Sequence, residues 1–258
     1  MDFTTFVEMQ YLFIIPRTLW KILFMLNFAL VLIILSPFIY VFFNNKKLFP
    51  KSYYLTRFLS FLLVFVPGVF PVIKRETPAE KLPEIAIYCS NHASYLDIIL
   101  AFIVIKNHFI SLGKKELEKV PVLRMFFKNV HILVDRKSVS SSHKAFLRLA
   151  KYLDNATSIL IFPEATISSY GKLLPFKNGA FKLAIDKQIP IVPITFLNNW
   201  KLLQNGGFLK AKGRPGICRI VVHEPIYTTG MNEKDLVSLR TKVHEVISIE
   251  LDKYNRGK

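Results

Sequence analysis

Two residues in the run Asn91-His92-Ala93-Ser94-Tyr95-Leu96-Asp97 are suited to acid–base chemistry, His92 as a proton acceptor and Asp97 as its partner. An imidazole changes charge near neutral pH. A carboxylate against one ring nitrogen fixes the tautomer and stabilises the imidazolium formed when the other nitrogen takes a proton. Such a base activates a hydroxyl, and a positioned general base is worth about two to four orders of magnitude in rate. Spacing decides whether the two residues meet. In a continuous helix, five residues would set them about 140° apart; if His92 precedes a helix and Asp97 lies in its first turn, the imidazole can fold back onto the carboxylate. The pair also reads as a structural histidine capped by Asp97, and the spacing by itself does not separate the two readings.

The elements around this run define the frame. After Pro71 a polar linker, KRETPAEKLPE, leads into short apolar runs separated by helical patterns, the alternation of an α/β domain. Strands are expected at residues 85–89, 109–112, 131–134, 158–162, 191–196 and 217–222, all rich in β-branched or aromatic residues. Helices are expected at 96–105, 141–153, 179–187 and 233–251. In the last, Leu236, Leu239, Val243, Val246 and Ile247 recur at helical spacing, a core-facing stripe. His92 thus falls where an apolar strand ends and a helix begins, the place where α/β folds put their sites. Residues 205–216, rich in glycine, read as a surface excursion.

The chain of 258 residues carries 35 Lys and Arg against 18 Asp and Glu, a formal charge of +17, together with 52% hydrophobic residues. A basic protein on an anionic membrane satisfies both facts. Residues 22–43 are unbroken by charge; a helix of that length reaches about 33 Å, against a hydrocarbon core of about 30 Å. Residues 58–70 are too short to span and read as an interfacial or re-entrant partner in a hairpin. The expected division is therefore 1–73 as membrane-anchoring helices and 74–258 as the catalytic domain. Lys46, Lys47, Lys51 and Arg57 outnumber Arg17 and Lys21, which favours the cytoplasmic face of the inner or cell membrane. Nucleic acid binding rests on net charge alone and conflicts with the apolar segment.

Other chemistries fit poorly. Cys89 and Cys218 form no pairing motif, and Cys89 lies inside an apolar strand, where a thiol is inert. His108, His131, His143, His223 and His244 show no metal-ligand spacing, so no metal is expected.

Four blocks together resemble the glycerolipid acyltransferases of the 1-acylglycerol-3-phosphate acyltransferase type, PlsC-like, over roughly residues 85–193. The first is Asn91-His92 with Asp97. The second is Val134-Asp135-Arg136, preceded by Lys114-Lys115-Glu116-Leu117 and Val120-Pro121. The third is Phe162-Pro163-Glu164-Ala165-Thr166, followed by Pro175-Phe176-Lys177-Asn178-Gly179-Ala180, and the fourth runs from Ile189 through Pro190 to Pro193. Each block alone is weak; four in order and spacing are specific.

The resemblance implies one α/β acyltransferase domain, a mixed central sheet flanked by helices, with an N-terminal membrane-embedded helical hairpin. It implies attack by an acceptor hydroxyl, deprotonated by His92, on an acyl thioester, with Asp97 orienting the base and no acyl-enzyme. Acyl-CoA or acyl-ACP would be the donor substrate, with no bound cofactor. Membrane lipids, a lysophospholipid acceptor and acyl-CoA or acyl carrier protein would be the partners. Arg136, Glu164, Thr166 and Lys114 would bind the acceptor, and Asn91, Phe162, Pro163 and Pro193 would support the motifs. Arg136 offers a planar fork for a phosphate. Two places depart from the family pattern Phe-Pro-Glu-Gly-Thr-Arg. Ala165 replaces glycine, at little cost unless the position needs a positive φ. Ile167 replaces an arginine that would grip a phosphate monoester, which leaves the acceptor open. Lysophosphatidic acid is the first choice; another lysophospholipid, an amino acid lipid, or a catalytically silent membrane-binding role are the alternatives.

Overall fold

A computed structural model describes residues 3–116, 124, 131–135, 138–207, 209 and 211–257. Arg136, Leu117, Val120, Pro121 and Lys210 lie outside the described residues. The chain opens with a long helix α1 (Phe3–Asn44), turns back through α2 (Ser52–Phe65) and enters a seven-stranded sheet. The strands are β1 (Val69–Arg75), β2 (Ile87–Ser90), β3 (Phe109–Lys114), β4 (His131–Val134), β5 (Ser158–Ile161), β6 (Ile191–Phe196) and β7 (Gly216–Val222). The helices between and after them are α3 (Leu96–Val104), α4 (Val139–Asp154), α5 (Gly179–Lys187), the short α6 (Asn199–Leu202) and α7 (Leu236–Arg256).

The sheet order is β1-β7-β6-β2-β5-β3-β4. From β6 to β4 all neighbours are parallel, β7 runs antiparallel to β6, and β1 is parallel to β7. The sheet is therefore mixed. Every residue of β2, β5 and β6 is buried, as expected of strands covered on both faces. One face packs against α1, α2 and α3 through residues such as Leu63, Leu100 and Phe196. The other packs against α4, α5 and α7 through Leu149, Phe181 and Val243. The stripe expected on the last helix is this contact: Leu239, Val243, Ile247 and Leu251 are its buried residues.

β1 is the element the sequence does not announce. Its exposed edge alternates buried and open positions, and Pro71, which pairs in register with Cys218, is tolerated because an edge strand has a free side. The sheet thus takes its first strand from Val69 onward, ahead of the boundary expected at residue 74.

α1 and α2 form the hairpin. Trp20 Nε1 donates to Pro67 O at 2.8 Å, and Asn27 Nδ2 to Leu62 O at 3.3 Å. Residues Ile14–Asn44 of α1 are long and apolar enough to cross a membrane. One side of that stretch is buried against the domain (Trp20, Phe24, Leu32, Leu35, Ile39). The other exposes Leu23, Leu26, Leu30, Ile33 and Phe38, and the apolar surface continues over Phe58 and Phe61 of α2. A large exposed apolar surface of this kind is consistent with membrane association.

Candidate active site

The parallel strands β2, β5 and β6 end on the same edge of the sheet, and the motif residues follow directly from those ends. After β2 the chain leaves the ladder, passes His92 and starts α3 at Leu96, so Asp97 stands in the first helical turn. A carboxylate there faces the positive end of the helix. His92 Nδ1 lies 2.9 Å from Asp97 Oδ2, and the same oxygen accepts from Ala93 N at 2.7 Å and Ser94 N at 2.9 Å. Surrounded by donors, that oxygen acts as an acceptor, so Nδ1 carries the proton and Nε2 holds the lone pair. Phe162, at the end of β5, stacks on the imidazole with ring centres 4.1 Å apart. His92 is 7% exposed and Asp97 is fully buried.

Asn91 ties β2 to β6. Its Nδ2 donates to Phe196 O at 3.0 Å and its Oδ1 accepts from Phe196 N at 2.8 Å, so an amide side chain replaces a rung of the ladder just beyond the last paired residues. Pro193, buried in β6 beside Cys89, belongs to the same strand pair. Pro163 O accepts from Lys177 N at 2.9 Å, which closes the loop of the third block.

Glu164 Oε1 accepts from His92 N at 2.7 Å and Oε2 from Leu174 N at 3.0 Å, and the residue is 4% exposed. These two bonds of Glu164 brace the first block against the third. Burial pushes its carboxyl up to about 7; the two backbone N–H groups oppose that rise and the Asp97 carboxylate adds to it. Ser168 N donates to His92 O at 2.7 Å and completes the brace.

Thr166 is exposed on the same loop, and Lys114 is exposed at the end of β3, with its Nζ 3.5 Å from Glu116 Oε1. Ala165 has φ of 58°, so the third block needs the left-handed backbone for which glycine is suited.

Asn199, at the start of α6, is the site residue that motif reading misses. Its Nδ2 donates to Asp97 Oδ1 at 2.8 Å, and the residue is fully buried. The only cue in the sequence is a pair of asparagines, Asn198-Asn199, shortly after an apolar strand.

A second histidine–carboxylate pair lies elsewhere. His223 Nδ1 is 3.2 Å from Glu76 Oε1 and Nε2 is 2.8 Å from the buried Thr195 Oγ1. Both ring nitrogens are occupied, and burial lowers the imidazole pKa; the cluster ties β1, β6 and β7 together. His131 lies against Ser111 Oγ inside the sheet, and burial drives its pKa down to about 3. Burial likewise pushes the Cys89 thiol well above its usual range. Among the described residues no three His, Cys, Asp or Glu side chains gather as a metal site would require.

A mixed α/β sheet with an N-terminal hairpin and an Asn-His-x4-Asp turn at its carboxyl edge defines a recognisable class. Residues 74–197 match the family described as Acyltransferase, and over those residues this chain is similar to that family. The 1-acyl-sn-glycerol-3-phosphate acyltransferase BAT2 of Brassica napus is 29% identical over 77% of this chain and 58% of its own. The alpha enzyme of that name from Ovis aries is 30% identical over 66% of this chain and 60% of its own. That of Haemophilus influenzae is 29% identical over 63% and 66% respectively. The crystal structure of the 1-acyl-sn-glycerophosphate acyltransferase PlsC from Thermotoga maritima superposes with a TM-score of 0.72, covering 93% of this chain and 98% of that one at 23% identity. At that identity it establishes the fold. The matched region spans less than two thirds of the length of these curated relatives.

Proposed function

We propose that this protein transfers a fatty acyl group from a thioester, acyl-CoA or acyl-ACP, to the free hydroxyl of a lysophospholipid. The first choice of acceptor is 1-acyl-sn-glycerol 3-phosphate, giving phosphatidic acid in phospholipid biosynthesis. The observation that carries this reading is the 2.9 Å contact between His92 Nδ1 and Asp97 Oδ2, which leaves Nε2 as the basic nitrogen. The match of residues 74–197 to the Acyltransferase family supports it.

In this mechanism His92 Nε2 takes the proton of the acceptor hydroxyl as the oxygen attacks the thioester carbonyl. The tetrahedral intermediate collapses with loss of the thiolate, and the imidazolium returns its proton to that sulfur. One C–O bond forms, one C–S bond breaks, and the products are an ester and a free thiol. Asp97 orients the ring and stabilises the imidazolium. Asn91, Glu164 and Asn199 hold the two in place. Arg136, Thr166 and Lys114 bind the acceptor, and the exposed side of the hairpin rests in the membrane at its cytoplasmic face, favoured by Lys46, Lys47 and Lys51 beyond the apolar stretch.

Ile167 favours a second acceptor class, because an arginine that would pair with a phosphate monoester is missing there. A panel of lysophospholipids and amino acid lipids, offered with acyl-CoA and acyl-ACP and read by product mass, separates the possibilities. Phosphatidic acid from lysophosphatidic acid is the expected product. Acylation of a different acceptor alone would overturn the substrate, and thioester consumption by none of them would overturn the reaction.

A further inference from the structure

The third block has Ile167 where a cation would grip a phosphate, and the turn just after it carries Lys172. Ser168 N donates to His92 O at 2.7 Å, so the loop sets out from the catalytic turn. It then reverses over Ser169–Lys172: Lys172 N donates to Ser169 O at 3.2 Å, and the central residues Tyr170 and Gly171 have φ of 57° and 71°. Positive φ at both is the pattern of a type I′ turn. Glycine adopts it freely, whereas a bulky residue does not. Tyr170 is 69% exposed and gains little from burial there, so neighbours must hold its backbone. Strain of this kind is kept where a turn is used.

Trp200 is the neighbour that holds it. A Cβ on Gly171 would overlap Nε1 and Cδ1 of the indole and lie 2.8 Å from Cε2, so the turn rests directly on that ring. Tyr170 meets the same indole edge-on, with ring centres 6.5 Å apart. The indole is itself fixed: the Lys201 and Lys212 ammonium groups lie 5.0 and 5.4 Å from its ring centre, and its neighbour Asn199 bonds Asp97. One short helix, α6, therefore grips Asp97 through Asn199 and the turn through Trp200.

We propose that the turn Ser169–Lys172, clamped on Trp200, binds the phosphate of the acceptor headgroup, with Lys172 supplying the cation absent at residue 167. The inference rests on the lysophospholipid reading above. Lys172 is exposed and forms no ion pair among the described residues. The ends of a β-turn lie within about 7 Å of each other, so Lys172 stays close to Ser169, the residue after the one bonded to His92 O. In a lysophospholipid the reacting hydroxyl and the phosphate are likewise separated only by a short glycerol link. An ammonium group is a point charge rather than a planar fork, so it accepts a phosphate monoester or a diester. Trp200 is a positioning residue in this arrangement, acting through the turn.

Steady-state kinetics of the full chain in detergent micelles, with lysophosphatidic acid and acyl-CoA varied in separate series, test this. Lys172→Gln should raise KM for lysophosphatidic acid about 10- to 100-fold, as for one lost hydrogen bond to a charged group. Its kcat and its KM for acyl-CoA should stay within about threefold of wild type, the signature of lost acceptor binding. Adding Ile167→Arg should bring the raised KM back toward wild type. Trp200→Ala should raise the same KM on the order of tenfold with kcat retained, and Trp200→Phe should raise it less. Lys151→Gln, an exposed charge in the last turn of α4, should behave as wild type. Lys172, being exposed, carries the test if thermal melting shows Trp200→Ala unfolded. A wild-type KM in Lys172→Gln, or an equal rise in Lys151→Gln, would overturn the site while leaving the acyltransferase reading intact. A raised KM for acyl-CoA instead would assign the lysine to the donor and overturn the acceptor role. Wild-type protein that acylates no lysophospholipid would overturn the function itself, and this inference with it.

Discussion

Asn199 Nδ2 donates to Asp97 Oδ1 across 2.8 Å, from a residue more than a hundred positions further along the chain. Together with the His92, Ala93 and Ser94 donors on Oδ2, this bond fixes the plane of the carboxylate and hence of the imidazole. Asn199→Ala should lower kcat by about 10- to 100-fold, the kinetic equivalent of a hydrogen bond to a charged group worth about 1.5–3 kcal/mol. It should also move the pH profile of kcat, because the charge facing the base is then less firmly held. A variant with reduced stability but unchanged kcat and pH profile would show Asn199 to be structural only.

Asn91 predicts a change in stability. Asn91→Ala strands the N–H and C=O of Phe196 in a buried place, at about 1–3 kcal/mol for each group left unsatisfied. Denaturant titration should show the midpoint falling, and an unchanged midpoint would mean that water replaces the amide.

Glu164 gives a pH-dependent prediction. Its folded pKa of about 7 lies above its ordinary value of 4.5, so between those values the folded protein holds more protons than the unfolded chain. The contribution of this group to stability is therefore greatest below about pH 4.5 and declines as pH rises through about 7. Glu164→Gln removes that slope. It also turns an amide N–H₂ toward one of the two backbone donors, a mismatch worth about 1–3 kcal/mol. Stability measured against pH should be flatter in the variant; parallel curves would contradict the assignment.

Legibility from sequence followed the physics of each residue. Buried central strands such as β5 and β6 are continuous apolar runs and were readable, as was the helical stripe from Leu239 to Leu251. β1 was not, because an edge strand with Pro71 in it resembles the tail of the preceding apolar segment. His92 and Asp97 could be located but not joined from spacing alone; their contact depends on α3 starting at Leu96. Glu164 was visible as a motif residue, whereas its two backbone partners arise only when the loop from Pro163 to Lys177 closes. Asn199 had no motif at all, since its function comes from the crossover that brings the end of β6 beside the end of β2.

Ala165 holds a positive φ of 58° where the family pattern has glycine. A left-handed conformation costs an L-residue about 1–2 kcal/mol. Ala165→Gly should therefore stabilise the protein by up to about 1 kcal/mol, after the greater unfolded-state entropy of glycine is counted. Thermal melting checks the direction. A lower melting temperature would mean that the alanine methyl contributes more packing than its backbone strain costs.

The central claim is that His92 is the base for acyl transfer. Its most direct test is the initial rate of thiol release from acyl-CoA, with lysophosphatidic acid present, for wild type and His92→Ala at matched folded concentration. Loss of a positioned general base predicts a fall of about two to four orders of magnitude, with the melting transition retained. Thiol release at the wild-type rate from folded His92→Ala would contradict the mechanism.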